Sequence, residues 1–105
     1  MTTVNIKQND TKGIFLDTLK VDGVPVDLTG TTVFFLLRKV TVFVRQPATI
    51  VGTPTNGDVK YQPVAVDVEV PGKYEQEWEV DFGDGRTLTF PNGDYNIVNI
   101  LDDLD

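Results

Sequence analysis

The chain has 105 residues, neither cysteine nor histidine, and a formal net charge of −7. That length suits a single domain over residues 1–105. The missing cysteines exclude a disulfide framework and a cysteine nucleophile, and the missing histidines remove the hydrolase triad and most zinc sites. Lys and Arg are too few and too scattered to neutralise a phosphate backbone, so nucleic acid is not an expected partner.

Residues Met1 to Gln8 lack the basic start and apolar run of a secretory signal. The longest unbroken apolar run, Val33 to Leu37, stops at Arg38 and Lys39, far short of a membrane span. The expectation is synthesis in the cytoplasm and no membrane partner. Charge is uneven along the chain. Lys7, Lys12, Lys20, Arg38, Lys39 and Arg45 fall in the first half, whereas most carboxylates follow Thr53. A surface of two charge tones can orient docking, and the acid excess also keeps a β protein soluble.

Val4 and Ile6 alternate with polar residues and predict a first short strand, broken by Gln8-Asn9-Asp10-Thr11. Ile14 to Leu19 reads as a second strand, and Asp22-Gly23 as a hairpin turn. Val24 to Asp27 is extended, and Pro25 places it on an edge. Leu28-Thr29-Gly30 turns into the strongest strand, Thr31 to Leu37, where Val33, Phe35 and Leu37 share one face and Phe34 and Leu36 the other. From Gly30 to Pro47 no strong turn residue appears, yet one strand over that interval would run to about 50 Å at roughly 3.3 Å per residue, beyond the usual strand of about 20 Å. A turn or bulge is therefore expected at Arg38-Lys39, with a second strand through Val40 to Arg45. Thr49 to Val51 is extended, Pro54-Thr55-Asn56-Gly57 is a turn, and Asp58 to Gln62 is a strand.

The stretch from Pro71 to Pro91 writes out a complete hairpin. Tyr74, Trp78, Val80 and Phe82 alternate with Glu75, Glu77, Glu79 and Asp81, the pattern of a strand with one packed and one wet face. Gly83-Asp84-Gly85 supplies the reversal, Leu88 and Phe90 resume the apolar parity, and Pro91 ends it. Asn92-Gly93-Asp94 is a further turn, Tyr95 to Ile100 a last strand, and residues 101–105 an acidic tail. Seven to nine short strands without helical periodicity predict an all-β, immunoglobulin-like antiparallel sandwich with essentially no helix; a small barrel is the competitor.

No catalytic constellation emerges. Glu75, Glu77 and Glu79 stand in a row but alternate outward, which is the pattern of a solvated face more than of a paired-carboxylate glycosidase. Asp81, Asp84 and Asp94 sit near turn ends, where Asp is wanted for the turn itself, and their spacing is not that of a helix-loop-helix calcium site. No metal, cofactor or nucleotide site is expected. Tyr61, Trp78 and Tyr95 offer a sugar-stacking platform only if they are exposed. The two-sided apolar strand is different, because a sandwich buries one face of each sheet. What remains must be covered by a tail, by barrel-like closure or by another subunit, so Phe34, Leu36, Val40, Val42, Phe43 and Val44 are the candidate subunit interface.

Asp22-Gly23, Pro25 to Gly30, the Val33 and Phe35 strand, Gly57 with Val59 and Tyr61, Pro71-Gly72 with Tyr74, Glu77-Trp78, Asp84-Gly85 and Phe90-Pro91 occur in an order that resembles the immunoglobulin-like N-terminal domain of tailed-bacteriophage baseplate upper proteins. The resemblance spans Thr11 to Ile100. It implies a non-catalytic virion structural protein: a tail or baseplate subunit or adaptor, located in the virion, contacting other phage structural proteins in multiple copies. A capsid decoration or cement protein, and more remotely a carbohydrate-binding host-recognition module, are the alternatives.

Overall fold

A computed structural model describes residues 3–40, 42–91 and 96–102, except for the side chain of Val42. Eleven strands form among the described residues, three of them only two residues long, together with two short 3-10 turns. The larger sheet contains β1 (Thr3–Lys7), β5 (Thr32–Lys39), β6 (Val42–Pro47), β9 (Gly72–Asp81), β10 (Thr87–Phe90) and β11 (Asn96–Leu101). Its order is β1-β11-β9-β5-β6, and β10 lies beside the second half of β9. The smaller sheet is β2 (Phe15–Thr18), β8 (Asp58–Tyr61) and β7 (Thr49–Ile50), in the order β2-β8-β7. A separate hairpin joins β3 (Lys20–Val21) to β4 (Val24–Pro25) through Asp22 and Gly23, both at positive φ. All pairings are antiparallel except β1 with β11, which run parallel. The result is the expected all-β sandwich.

Strand parity explains the core. Val33, Phe35 and Leu37 of β5, with Tyr74, Trp78 and Val80 of β9, point inward and are almost fully buried. Phe35 and Trp78 come from the larger sheet, Phe15 and Tyr61 from the smaller, and their rings meet between the layers. The Phe35 ring stacks on Tyr61 at 4.4 Å between centroids, lies 4.9 Å from Phe15 and meets Trp78 edge-on at 5.4 Å. Such contacts stabilise beyond the apolar area they bury.

The expected turn at Arg38-Lys39 is not there. β5 continues through Lys39, which pairs with Val42, so the reversal falls two residues later. Both cations hold the strand down. Arg38 bonds Glu75 of β9 at 2.6 Å on the outer face, and Lys39 Nζ donates to the Pro71 carbonyl at 3.0 Å and lies over the Tyr74 ring. β-branched Val40 is left at the tip, fully exposed.

Two chain crossings close the sandwich differently. On one flank β6 leaves the larger sheet at Ala48, whose N–H donates to the Val33 carbonyl at 2.8 Å, and becomes β7 of the smaller sheet at once. On the other flank β1 and β2 are the sheet edges, and residues 8–14 pass between them. This flank stays open as a cleft of about 490 Å³.

One buried carboxylate organises the segment before β9. Asp67 is 4% exposed and accepts from the Tyr61 hydroxyl at 2.6 Å and the Val64 N–H at 2.9 Å. Burial, then the bond to Asp67 and its negative charge, push the Tyr61 phenol well above its ordinary value; burial also raises the Tyr74 phenol. A phenol raised in the folded state favours folding fully below its unfolded value of about 10 and loses that contribution as pH climbs beyond it, because the unfolded chain gives up the proton first. Urea unfolding between about pH 9 and pH 11 should therefore show falling stability, with a shallower fall in Tyr61→Phe. An equal slope in the two proteins would refute the assignment.

Candidate subunit interface

The outer face of the larger sheet is built by the residues that alternate with the core. Phe34, Leu36 and Arg38 of β5 stand opposite Glu79, Glu77 and Glu75 of β9 on one side, and opposite Pro47, Arg45 and Phe43 of β6 on the other. The apolar stripe thus has acidic neighbours along one side and an aromatic and a cation on the other. Arg45 leans across it: its guanidinium carbon sits 3.8 Å from the Phe34 ring centroid while Nη2 donates to Glu79 Oε1 at 2.8 Å. Cation–π attraction and an ion pair hold the same side chain, so Phe34 is half-covered from within the chain. Arg38 makes the second ion pair across the face, and the hydrogen bond and charge of Glu75 raise its already high pKa.

The six candidate residues divide. Phe34, Leu36 and Phe43 share this face, with Phe43 61% exposed and the other two half-buried. Val40 projects from the adjoining hairpin tip. Val44 does not belong to the face: it pairs with inward-facing Leu37, is 8% exposed and packs into the core. The Val42 side chain lies outside what the structure describes, although its backbone pairs with Lys39. Arg45, Pro47 and the outward Glu75, Glu77 and Glu79 belong to the same face and are not among the six. The β5–β6 register makes Pro47 and Arg45, and the β5–β9 register Glu79 and Glu77, the neighbours of Phe34 and Leu36.

The other candidate sites resolve differently. Glu75 and Glu79 are engaged in ion pairs. Asp81 Oδ1 accepts from the Gly83 N–H at 2.8 Å, and the Asp84 carboxylate takes the Arg86 N–H and Nε, so both serve their own hairpin turn. Those bonds and the Arg86 charge lower the Asp84 pKa. Asp94 lies outside the described residues, among which no group of acids is placed to hold a metal ion. Trp78 and Tyr61 are buried at 1% and 9%, inside the aromatic core where no sugar ring can stack; Tyr95 is outside the described residues.

A family model described as the BppU N-terminal domain matches residues 1–103, nearly the whole chain. The chain belongs to this family of baseplate upper protein N-terminal domains. Among solved structures it is similar to the N-terminal domain of phage TP901-1 ORF48, with a TM-score of 0.65 at 16% identity, covering 95% of this chain and 83% of that one. At that identity the likeness speaks for the fold. No curated protein sequence matches the chain significantly. Membership in the BppU N-terminal domain family makes a structural role in the phage tail or baseplate the function class of this chain, and virion association its setting.

Proposed function

We propose that this protein is a non-catalytic assembly subunit of the phage baseplate, made in the host cytoplasm and built into the virion in multiple copies through the outer face of its larger sheet. The observation that carries this reading is the Phe34, Leu36 and Phe43 stripe, bordered by the Arg45–Glu79 and Arg38–Glu75 pairs, on a chain of the baseplate upper protein family. Aromatic and Arg side chains are what well-bound interfaces concentrate at their centres. Arg45 is held over Phe34 before any partner arrives, which lowers the entropy lost on docking. A face with ion pairs already closed internally needs few new partners for its charges, so apolar contact at Phe43 can dominate. A non-catalytic role is supported by the absence of histidine and cysteine from the sequence and by carboxylates that serve ion pairs and turns.

Sedimentation of the purified chain over a wide concentration range tests the proposal. The wild type should associate, and Phe43→Ser should return it to a monomer with a melting temperature almost unchanged, because an exposed substitution costs within about 0.5 kcal/mol of stability. A wild type that stays monomeric throughout, or an oligomer indifferent to Phe43→Ser, would rule out this face as the contact between copies.

A further inference from the structure

We propose that the open flank of the sandwich is a peptide-binding site: an extended segment of another protein adds as a new strand to the free edge of β1 and lowers alternate side chains into the cleft between β1 and β2. This surface is separate from the Phe34 face and does not depend on it.

The backbone geometry assigns the edge. Gln8 N–H donates to the Leu101 carbonyl at 2.7 Å, with Lys7 aligned opposite Leu101. In a parallel ladder alternate residues bond to a given neighbour, so Val4, Ile6 and Gln8 face β11. Asn5 turns its N–H and C=O to the open side, as Lys7 does its N–H; the Lys7 carbonyl is already taken by the Asp10 N–H at 3.1 Å. The opposing edge offers less. β2 is four residues long, and Asp17 Oδ1 occupies the Thr18 N–H at 2.8 Å. An uncapped edge strand is a template for strand addition.

The cleft specifies what the added strand carries. Its volume of about 490 Å³ is that of a pocket for several side chains. Ile6 and Phe15 form walls, and the floor is Val98 with a buried amide pair, Asn96 Nδ2 donating to Gln76 Oε1 at 2.8 Å. The amides offer both donor and acceptor character, and the lining also carries Asp10 and Asp17, the latter accepting from Trp78 Nε1 at 3.1 Å, so inward side chains of the guest are apolar or neutral and polar, and an inward carboxylate would be repelled. On the outer face Lys7 is exposed, and its ammonium has no hydrogen bond or ion pair among the described residues. A cross-strand neighbour there stands within about 5.5 Å, where opposite charges attract. The guest is therefore an alternating segment with a carboxylate opposite Lys7. β1 itself contains no acid, so β1 of a second copy lacks that match.

Selection of displayed random peptides of about ten residues, the length of a long strand, on the immobilised chain tests the site. Enriched peptides should alternate, lack Pro and carry Asp or Glu. Asn5→Pro removes an open-side N–H, at a position where edge strands tolerate Pro, together with the side chain whose Oδ1 accepts from Asn99 Nδ2 at 3.0 Å; it should weaken the best peptide about tenfold or more, the loss expected when a main-chain bond goes unmade. Asn5→Ala keeps that N–H and should bind as the wild type does. Lys7→Glu should shift selection from acidic to basic peptides, a readout that holds even if Asn5→Pro disturbs folding. Peptides without alternation, no enrichment at all, equal binding by Asn5→Pro and Asn5→Ala in folded protein, or a wild-type dimer that Asn5→Pro dissolves would each overturn the proposal.

Discussion

Trp78→Ala is expected to lower the unfolding free energy by about 3–5 kcal/mol, the range for deleting a large buried aromatic side chain. The site cannot collapse easily. Trp78 is 1% exposed, in the middle of ten-residue β9, flanked by β5 and β10 and pressed edge-on against Phe35. Neighbours fixed in two ladders leave most of the removed volume as a cavity. The indole also donates from Nε1 to Asp17 Oδ2 at 3.1 Å, tying the larger sheet to the edge strand of the smaller. Trp78→Phe separates the contributions: it keeps a ring and deletes the donor, for an expected loss nearer about 1 kcal/mol plus a packing remainder. Since domains of this size are stable by only about 5–15 kcal/mol, Trp78→Ala should remove from about a fifth to nearly all of the stability and lower the urea midpoint in proportion. Far-UV circular dichroism is the probe, because Trp78 is the sole tryptophan. A loss below about 1.5 kcal/mol would mean that the aromatic cluster does not carry the core as described.

Much of the fold was legible because strand parity and turn chemistry are local. The β9–β10 hairpin follows its sequence pattern almost residue for residue, with the reversal closed by the Phe82 N–H to the Arg86 carbonyl. The late turn at Val40 was not legible, since what extends β5 is the attachment of Arg38 to Glu75 of β9 and of Lys39 to the Pro71 carbonyl just before it, contacts over thirty residues away in sequence. Val42-Phe43-Val44 is apolar at every position, so alternation could not say which side faces inward; pairing of Val44 with Leu37 decides it. Gln76 occupies an inward position of β9 by parity but is polar, and it is Asn96 across the ladder, donating to its Oε1, with the Glu77 carbonyl accepting from its Nε2, that explains how it is buried. The candidate face was legible as excess apolar surface on β5, while its charged border required the register. The open flank was invisible in the sequence, because nothing local says that β1 will lie parallel to β11 and leave its other edge without a strand neighbour among the described residues.

Gly57→Ala is expected to cost about 3 kcal/mol or more, through backbone alone. Gly57 has φ +72, where an L side chain loses about 1–2 kcal/mol for conformation. A Cβ there would also stand 2.7 Å from the Leu19 carbonyl oxygen and 3.2 Å from both N and O of Val26. None of those atoms can swing aside, because they belong to one hydrogen-bonded junction. Leu19 N–H donates to the Gly57 carbonyl at 2.8 Å, Val26 N–H to the Leu19 carbonyl at 2.9 Å, and Gly57 N–H closes the 3-10 turn on Pro54. This junction fastens the ends of β2 and β4 to the start of β8, so the methyl must separate strands of the smaller sheet from the β3–β4 hairpin. Gly30 is the control, with nearly the same φ of +73 and nothing within 4 Å of its added Cβ; Gly30→Ala should show the conformational cost of about 1–2 kcal/mol and no more. Thermal and urea unfolding of the two variants side by side measures the difference. Equal losses would show that the junction yields to a methyl, and that the glycine is required at position 57 only for its dihedral angle.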